Sequence, residues 1–141
     1  DITIVGVSHT VEDSLRAAEL LKSVGVSAEI IDPISFSPID YNLIRNSANK
    51  TKKLLVVDNG WMTCGFSSEI ITDAAINCQN VAYDRIGFTE TPCPTAPSLE
   101  KVFYPDPQTI AIKANEMCGG NEKWEPPEVE QHEIISFKGP F

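Results

Sequence analysis

The run Leu54-Leu55-Val56-Val57 is apolar at every position and stops at Asp58-Asn59-Gly60-Trp61. A strand with one wet face alternates polar and apolar residues, whereas a strand covered on both faces reads as a continuous apolar run. Such a strand needs cover on two sides, which restricts the chain to folds in which helices flank a parallel sheet. The residues that follow agree. Gly65-Phe66-Ser67-Ser68-Glu69-Ile70 brings a glycine that admits a helix, read here over Glu69 to Ile76.

The same grammar repeats along the chain. Ile2-Thr3-Ile4-Val5-Gly6-Val7 is a β-branched run of strand length. Thr10 can cap the helix after it, with Glu12 and Asp13 in the first turn where the helix dipole favours acids. Val11, Leu15, Ala18 and Leu21 recur at helical spacing and are the expected core face, and Gly25 ends the helix. Ala28 to Asp32 is a second strand, stopped by Pro33. Ser37-Pro38-Ile39-Asp40 opens a short helix with Tyr41, Leu43 and Ile44 on its apolar side. Val81 to Gly87 is a fourth strand, and Thr91 to Pro97 is a proline-dense loop. Ser98 to Phe103 suggests one helical turn. Asp106-Pro107 then caps and starts a last helix, which Gly119-Gly120 end. Alternation of this kind predicts a three-layer α/β/α sandwich around a mostly parallel sheet.

Two segments are expected: an α/β domain over 1–120, and an acidic extension over 121–141 that carries Trp124, Pro126-Pro127 and an apolar end from Ile134 to Phe141. Because a strand-like run follows Asp1 at once, the chain is expected to be a piece of something longer. With 141 residues and a net charge of -9, it suits one soluble domain rather than a partner for nucleic acid or anionic membrane, since both need clustered cations. No run approaches the length of a membrane span. The cysteines at 64, 78, 93 and 118 form no C-x-x-C pair, so neither metal spacing nor a disulfide framework is indicated. Free thiols in a reducing cytoplasm are the expectation.

In open α/β sheets ligands bind beyond the carboxyl ends of the strands. The candidate crevice there is Ser8, His9, Asp58 and Asn59. His9 is the candidate general base; its structural alternative is a helix-entry residue or an interface hydrogen-bonder. Trp61 either stacks on a ligand or fills a core or subunit interface. Gly6-Val7-Ser8-His9-Thr10-Val11 is not a dinucleotide fingerprint, and there is neither a Walker lysine nor a G-x-S-x-G elbow. Cys93, flanked by prolines, lacks a neighbouring cation to activate it. From these residues, no catalytic, cofactor-binding or metal-binding residue is assigned to this chain.

Three blocks, in order, resemble the C-terminal domain shared by transketolase and the beta subunits of 2-oxoacid dehydrogenases. They are Ile31 through Ser37-Pro38-Ile39-Asp40; Leu54 through the Gly60-Trp61 turn to Ile70; and Arg85-Ile86-Gly87 through Pro92, Pro94, Ala96, Leu99-Glu100 and Pro105. The third block favours the beta subunits of pyruvate or branched-chain type. The resemblance implies a thiamine diphosphate and magnesium enzyme whose cofactor is held elsewhere, on a pyrimidine-binding domain and an alpha-type subunit. The domain itself would be inactive alone and serve assembly. Trp61, Phe66, Glu69 and Ile70 are the candidate interface of a homodimer contact. The family's docking to an acyltransferase core is a further expectation, although Cys78-Gln79-Asn80-Val81 lacks the acidic residue common there and the chain continues past Gly120. Two other readings are a transketolase-like two-carbon transferase domain and a non-catalytic ligand-binding or regulatory module.

Overall fold

The computed structural model describes residues 1–127. Its elements are β1 (Ile2–Gly6), α1 (Thr10–Lys22), β2 (Ala28–Ile31), α2 (Tyr41–Thr51), β3 (Lys53–Trp61), α3 (Phe66–Asn77), β4 (Ala82–Phe88), α4 (Pro97–Glu100) and α5 (Pro107–Met117). The four strands are all parallel, in the order β2-β1-β3-β4. The chain therefore builds outward from β1 to β2, then crosses back to place β3 on the other side of β1. The reversal of strand order falls between β1 and β3.

The strands alternate their side chains between two cores. Ile2 and Ile4 of β1 and Leu55 and Val57 of β3 pack with Ala17 and Leu21 of α1 and Ile110, Ala111 and Ala114 of α5. Val5, Leu54 and Val56 pack on the opposite face with Ile44 and Ala48 of α2 and Ile70 and Ala74 of α3. This is the three-layer arrangement that the continuous apolar run requires. Thr3 is fully buried on the second face, and its hydroxyl is satisfied by Ser47 at 2.7 Å and Thr51 at 2.8 Å. On that face Arg45 of α2 grips the Asp73 carboxylate of α3 with two donors, Nε to Oδ2 at 2.7 Å and Nη2 to Oδ1.

Helix α1 departs from the apolar stripe expected of it. Its buried residues are Thr10, Asp13, Ser14, Ala17 and Leu21, while Leu15 is 53% exposed. Small residues win because the helix lies close to the sheet: a Cβ on Gly6 would meet the Val11 Cα at 2.7 Å. Ser14 can be buried because its hydroxyl donates to the Thr10 carbonyl at 2.6 Å. Thr10 is not the cap either. It is the first helical residue, and His9 before it makes no side-chain cap bond. The Thr10 hydroxyl accepts the Val7 N–H at 2.8 Å and donates to the Val57 carbonyl at 2.8 Å, pinning the start of α1 to the end of β1 and the middle of β3.

The cap read at the last helix holds: Asp106 accepts the Thr109 N–H at 2.7 Å with Pro107 in the first turn. At the start of α2, Asp40 accepts the Leu43 N–H at 3.0 Å. Beyond α5, the Asn115 amide donates to the Asn121 carbonyl and Trp124 packs against the core shared by α1 and α5. Glu128, Glu130, Glu133 and the apolar end lie outside the described residues.

Thr10→Val should lower stability by about 1–3 kcal/mol, because it removes buried hydrogen bonds without creating a cavity. A fall in thermal midpoint checks this, and an unchanged midpoint contradicts the pinning role.

Candidate functional site at the carboxyl end of the sheet

The end of β3 is not the turn that the sequence suggests. The strand continues through Asp58-Asn59-Gly60 to Trp61, with an irregularity in its pairing to β4 between Val57 and Trp61. Gly87 on β4 makes room for it, since a Cβ there would lie 2.6 Å from the Gly60 carbonyl oxygen. Helix α3 begins at Phe66 instead of Glu69.

Asp58 is 4% exposed, and its carboxylate accepts the Ser67 N–H at 2.8 Å. The residue at the N-cap of α3 is Gly65, which has no side chain to offer. Asp58 does from the neighbouring strand what a cap residue does locally, and its charge suits the positive end of the helix dipole. Gly65 cannot be replaced by a capping residue, because a Cβ would sit 1.9 Å from the Trp61 carbonyl oxygen.

The crevice residues are thus placed at one end of the sheet but not joined into a site. Ser8 is exposed with a left-handed φ of 60°. The His9 ring is exposed, with Nε2 3.7 Å from the Asp13 carboxylate. Asp58 is turned into the start of α3, and Asn59 is exposed. Neither His9 nor Asp58 is hydrogen-bonded to the other. Asp13 is the perturbed carboxyl here: burial pushes it above its ordinary value, while His9 and Arg16 oppose that rise.

The candidate interface residues divide. Trp61 is 44% exposed and Glu69 is exposed. Phe66 is half-buried, edge-on to Phe36 with ring centroids 4.6 Å apart. Ile70 cannot be at an interface. It is fully buried beneath α3 as part of the second core, packed with Ile44, Leu54 and Val56. The sequence reading missed the aromatic partners of Trp61. Its ring meets Phe88 at 5.9 Å and Phe103 at 5.7 Å, and Tyr104 lies 5.2 Å from Phe88. These rings come from three separate segments. The signal available was the density of aromatics after β4, which spacing alone could not pair with Trp61.

Beside this cluster an open cavity of about 530 Å³ is lined by Met62, Asp84, Arg85, Glu90 and Lys113, among others. Its cations are already engaged. Arg85 donates to the Met62 carbonyl at 2.6 Å and to the Ser68 hydroxyl. Lys113 pairs with Asp84 at 3.5 Å and Glu116 at 3.3 Å. Among the described residues no group of three His, Cys, Asp or Glu side chains is placed to hold a metal. The described residues do not form a cradle for thiamine diphosphate and magnesium. The first glycine turn is filled by the Thr10 hydroxyl, and the start of α3 is occupied by Asp58. Cys64 and Cys93 are exposed free thiols, and Cys118 is a free thiol raised by burial.

The fold and this carboxyl end define an α/β module with the architecture of a ligand-binding sheet and no assembled catalytic centre among its described residues. Residues 1–110 match the family described as transketolase, C-terminal domain, and the chain belongs to that family. It is 35% identical over 125 residues to the mitochondrial pyruvate dehydrogenase E1 component subunit beta of Dictyostelium discoideum, covering 86% of this chain and 35% of that one. It is 32% identical to the acetoin:2,6-dichlorophenolindophenol oxidoreductase subunit beta of Bacillus subtilis (strain 168), covering 84% and 36%. The chain spans about a third of the length of these curated relatives. A solved chain described as a split gene transketolase, inactive beta4 tetramer, superposes with a TM-score of 0.77 at 20% identity, over 84% of this chain and 39% of that one. At that identity it shows the fold alone.

Two outcomes follow from this geometry. Asp58→Ala should cost about 1–2 kcal/mol through the lost cap, whereas His9→Ala should leave the thermal midpoint within error. Equal effects would contradict the division of roles. Asp13 has its folded pKa raised, so the folded protein takes up a proton there more readily than the unfolded chain does. Ionised Asp13 therefore costs stability at neutral pH, and that cost fades as pH falls through its folded pKa. Asp13→Asn should raise the thermal midpoint at pH 7, with the gain shrinking towards pH ~4. A gain independent of pH would contradict the assignment.

Proposed function

We propose that this chain is the assembly-bearing C-terminal part of a beta-type subunit in a thiamine diphosphate-dependent enzyme that oxidises a 2-keto acid. The observation that carries the reading is a pairing. The chain resembles beta subunits named for pyruvate and acetoin oxidation, yet its described residues hold no diphosphate cradle or metal cluster. The cofactor, which supplies a stabilised carbanion for decarboxylation, then belongs to a pyrimidine-binding domain and an alpha-type subunit. What this chain adds is packing area and the fixed geometry of its strand ends. Self-association fits the reading, since a chain of the same fold is described as a tetramer of one kind of subunit. An acyltransferase core is a further partner for the whole complex. The acetoin relative keeps an α-hydroxyketone open as the substrate.

Calorimetric titration of thiamine diphosphate with magnesium into the 141-residue chain should give no heat of binding. Saturable binding with a micromolar dissociation constant would remove the reading, since the chain would then carry the cofactor site itself.

A further inference from the structure

Both edges of the sheet are open among the described residues: β2 is hydrogen-bonded to β1 alone, and β4 to β3 alone. An open edge offers a row of unpaired N–H and C=O groups to an added strand. The β2 edge also has apolar surface beside it. Leu15, on the outward side of α1, is 53% exposed, and Val24 is 38% exposed. Leu15, Ala18, Ala28 and Ile30 line an open groove of about 500 Å³ between α1 and β2. A strand laid along β2 covers the polar edge and this groove together.

The chain beyond α5 already turns onto this side of the molecule. Trp124 packs against the core shared by α1 and α5, as Ala28 and Ile30 also do, and Pro126 is buried. Helix α5 returns from the carboxyl end of β4, so it finishes at the amino end of the sheet, where β2 begins. Fourteen residues follow Pro127. Among them is Glu133-Ile134-Ile135-Ser136-Phe137-Lys138, whose isoleucines and phenylalanine favour a strand. In a strand, Ile135 and Phe137 share one face. The stretch 128–132 spans up to roughly 17 Å when extended, against the ~10–12 Å diameter of the helix it must pass.

Handedness selects the edge. The β1-α1-β2 crossover steps towards β2 with its helix on the face of the first core. The β2-α2-β3 and β3-α3-β4 crossovers step the other way with their helices on the opposite face. All three therefore share one hand, as parallel crossovers do in nearly all folds. Helix α5 lies on the face of α1. A parallel strand after it keeps that hand beside β2 and reverses it beside β4.

We infer that residues 133–138 add to the β2 edge as a fifth, parallel strand, with Ile135 and Phe137 seated in the groove against Leu15. Main-chain hydrogen bonds to the edge supply the attachment, and the alternate side chains in the groove fix the register.

Hydrogen exchange in the 141-residue chain, compared with the chain ended after Pro127, tests this. The truncation keeps every described element. Without the segment, amides across Ala28–Ile31 should exchange about tenfold faster or more, while those of Ala82–Phe88 stay unchanged. Ile135→Asp combined with Phe137→Asp should give the same acceleration in the 141-residue chain, a readout that does not need the truncated chain to fold. Leu15→Arg should give it too, and should add nothing to the truncation, as two partners in one contact require. Unchanged exchange at Ala28–Ile31, or acceleration at Ala82–Phe88 in its place, would overturn the inference. So would protection of Ala28–Ile31 that falls on dilution, since the segment would then come from another copy.

Discussion

Leu54, Leu55, Val56 and Val57 are fully buried at the centre of the sheet, two on each face, and both cores are built on them. Burying one such side chain is worth about 1.5–3 kcal/mol, so this strand concentrates much of the driving force for folding in four adjacent residues. It is hydrogen-bonded to β1 on one side and β4 on the other. The helices above and below can only be arranged to cover it. Thr10 then locks three elements together, because one hydroxyl reaches the end of β1 and the middle of β3 from the first turn of α1.

That economy has a consequence for chemistry. The carboxyl ends of β1 and β3, where an open α/β sheet usually receives a ligand, are used here to hold the fold together. Asp58 caps a helix whose own cap position must be glycine, and the Thr10 hydroxyl fills the space after β1. A carboxylate already committed to a backbone N–H, and cations already committed to a carbonyl and to carboxylates, leave little for a diphosphate. The outer surface of the same end is different: Trp61 and Tyr104 stand partly exposed there beside Phe88 and Phe103.

Much of the fold was legible because strands and caps are written locally. The strand runs, Asp106 as a cap, Pro107 at a helix start and Gly119 at a helix end are all short-range signals. The stripe on α1 was misread because hydrophobicity was taken as the only reason for burial. Close approach to Gly6 selected Ser14 and Ala17 for the inner face and sent Leu15 outward. Ile70 was misread as a surface residue because only packing between segments shows which side of α3 lies on the second core.

The sequence by itself determined the class of the chain. Continuous apolar strands need two covered faces, and the ordered blocks at Ser37-Pro38, Gly60-Trp61 and Leu99-Glu100 marked the family. Only the tertiary structure decided what the residues at the strand ends do. Whether Asp58 faces a crevice or caps a helix, and whether Trp61 stands alone or joins Phe88, Phe103 and Tyr104, depends on contacts between segments far apart in the chain. Such contacts follow from parallel register and strand order, which no local pattern encodes.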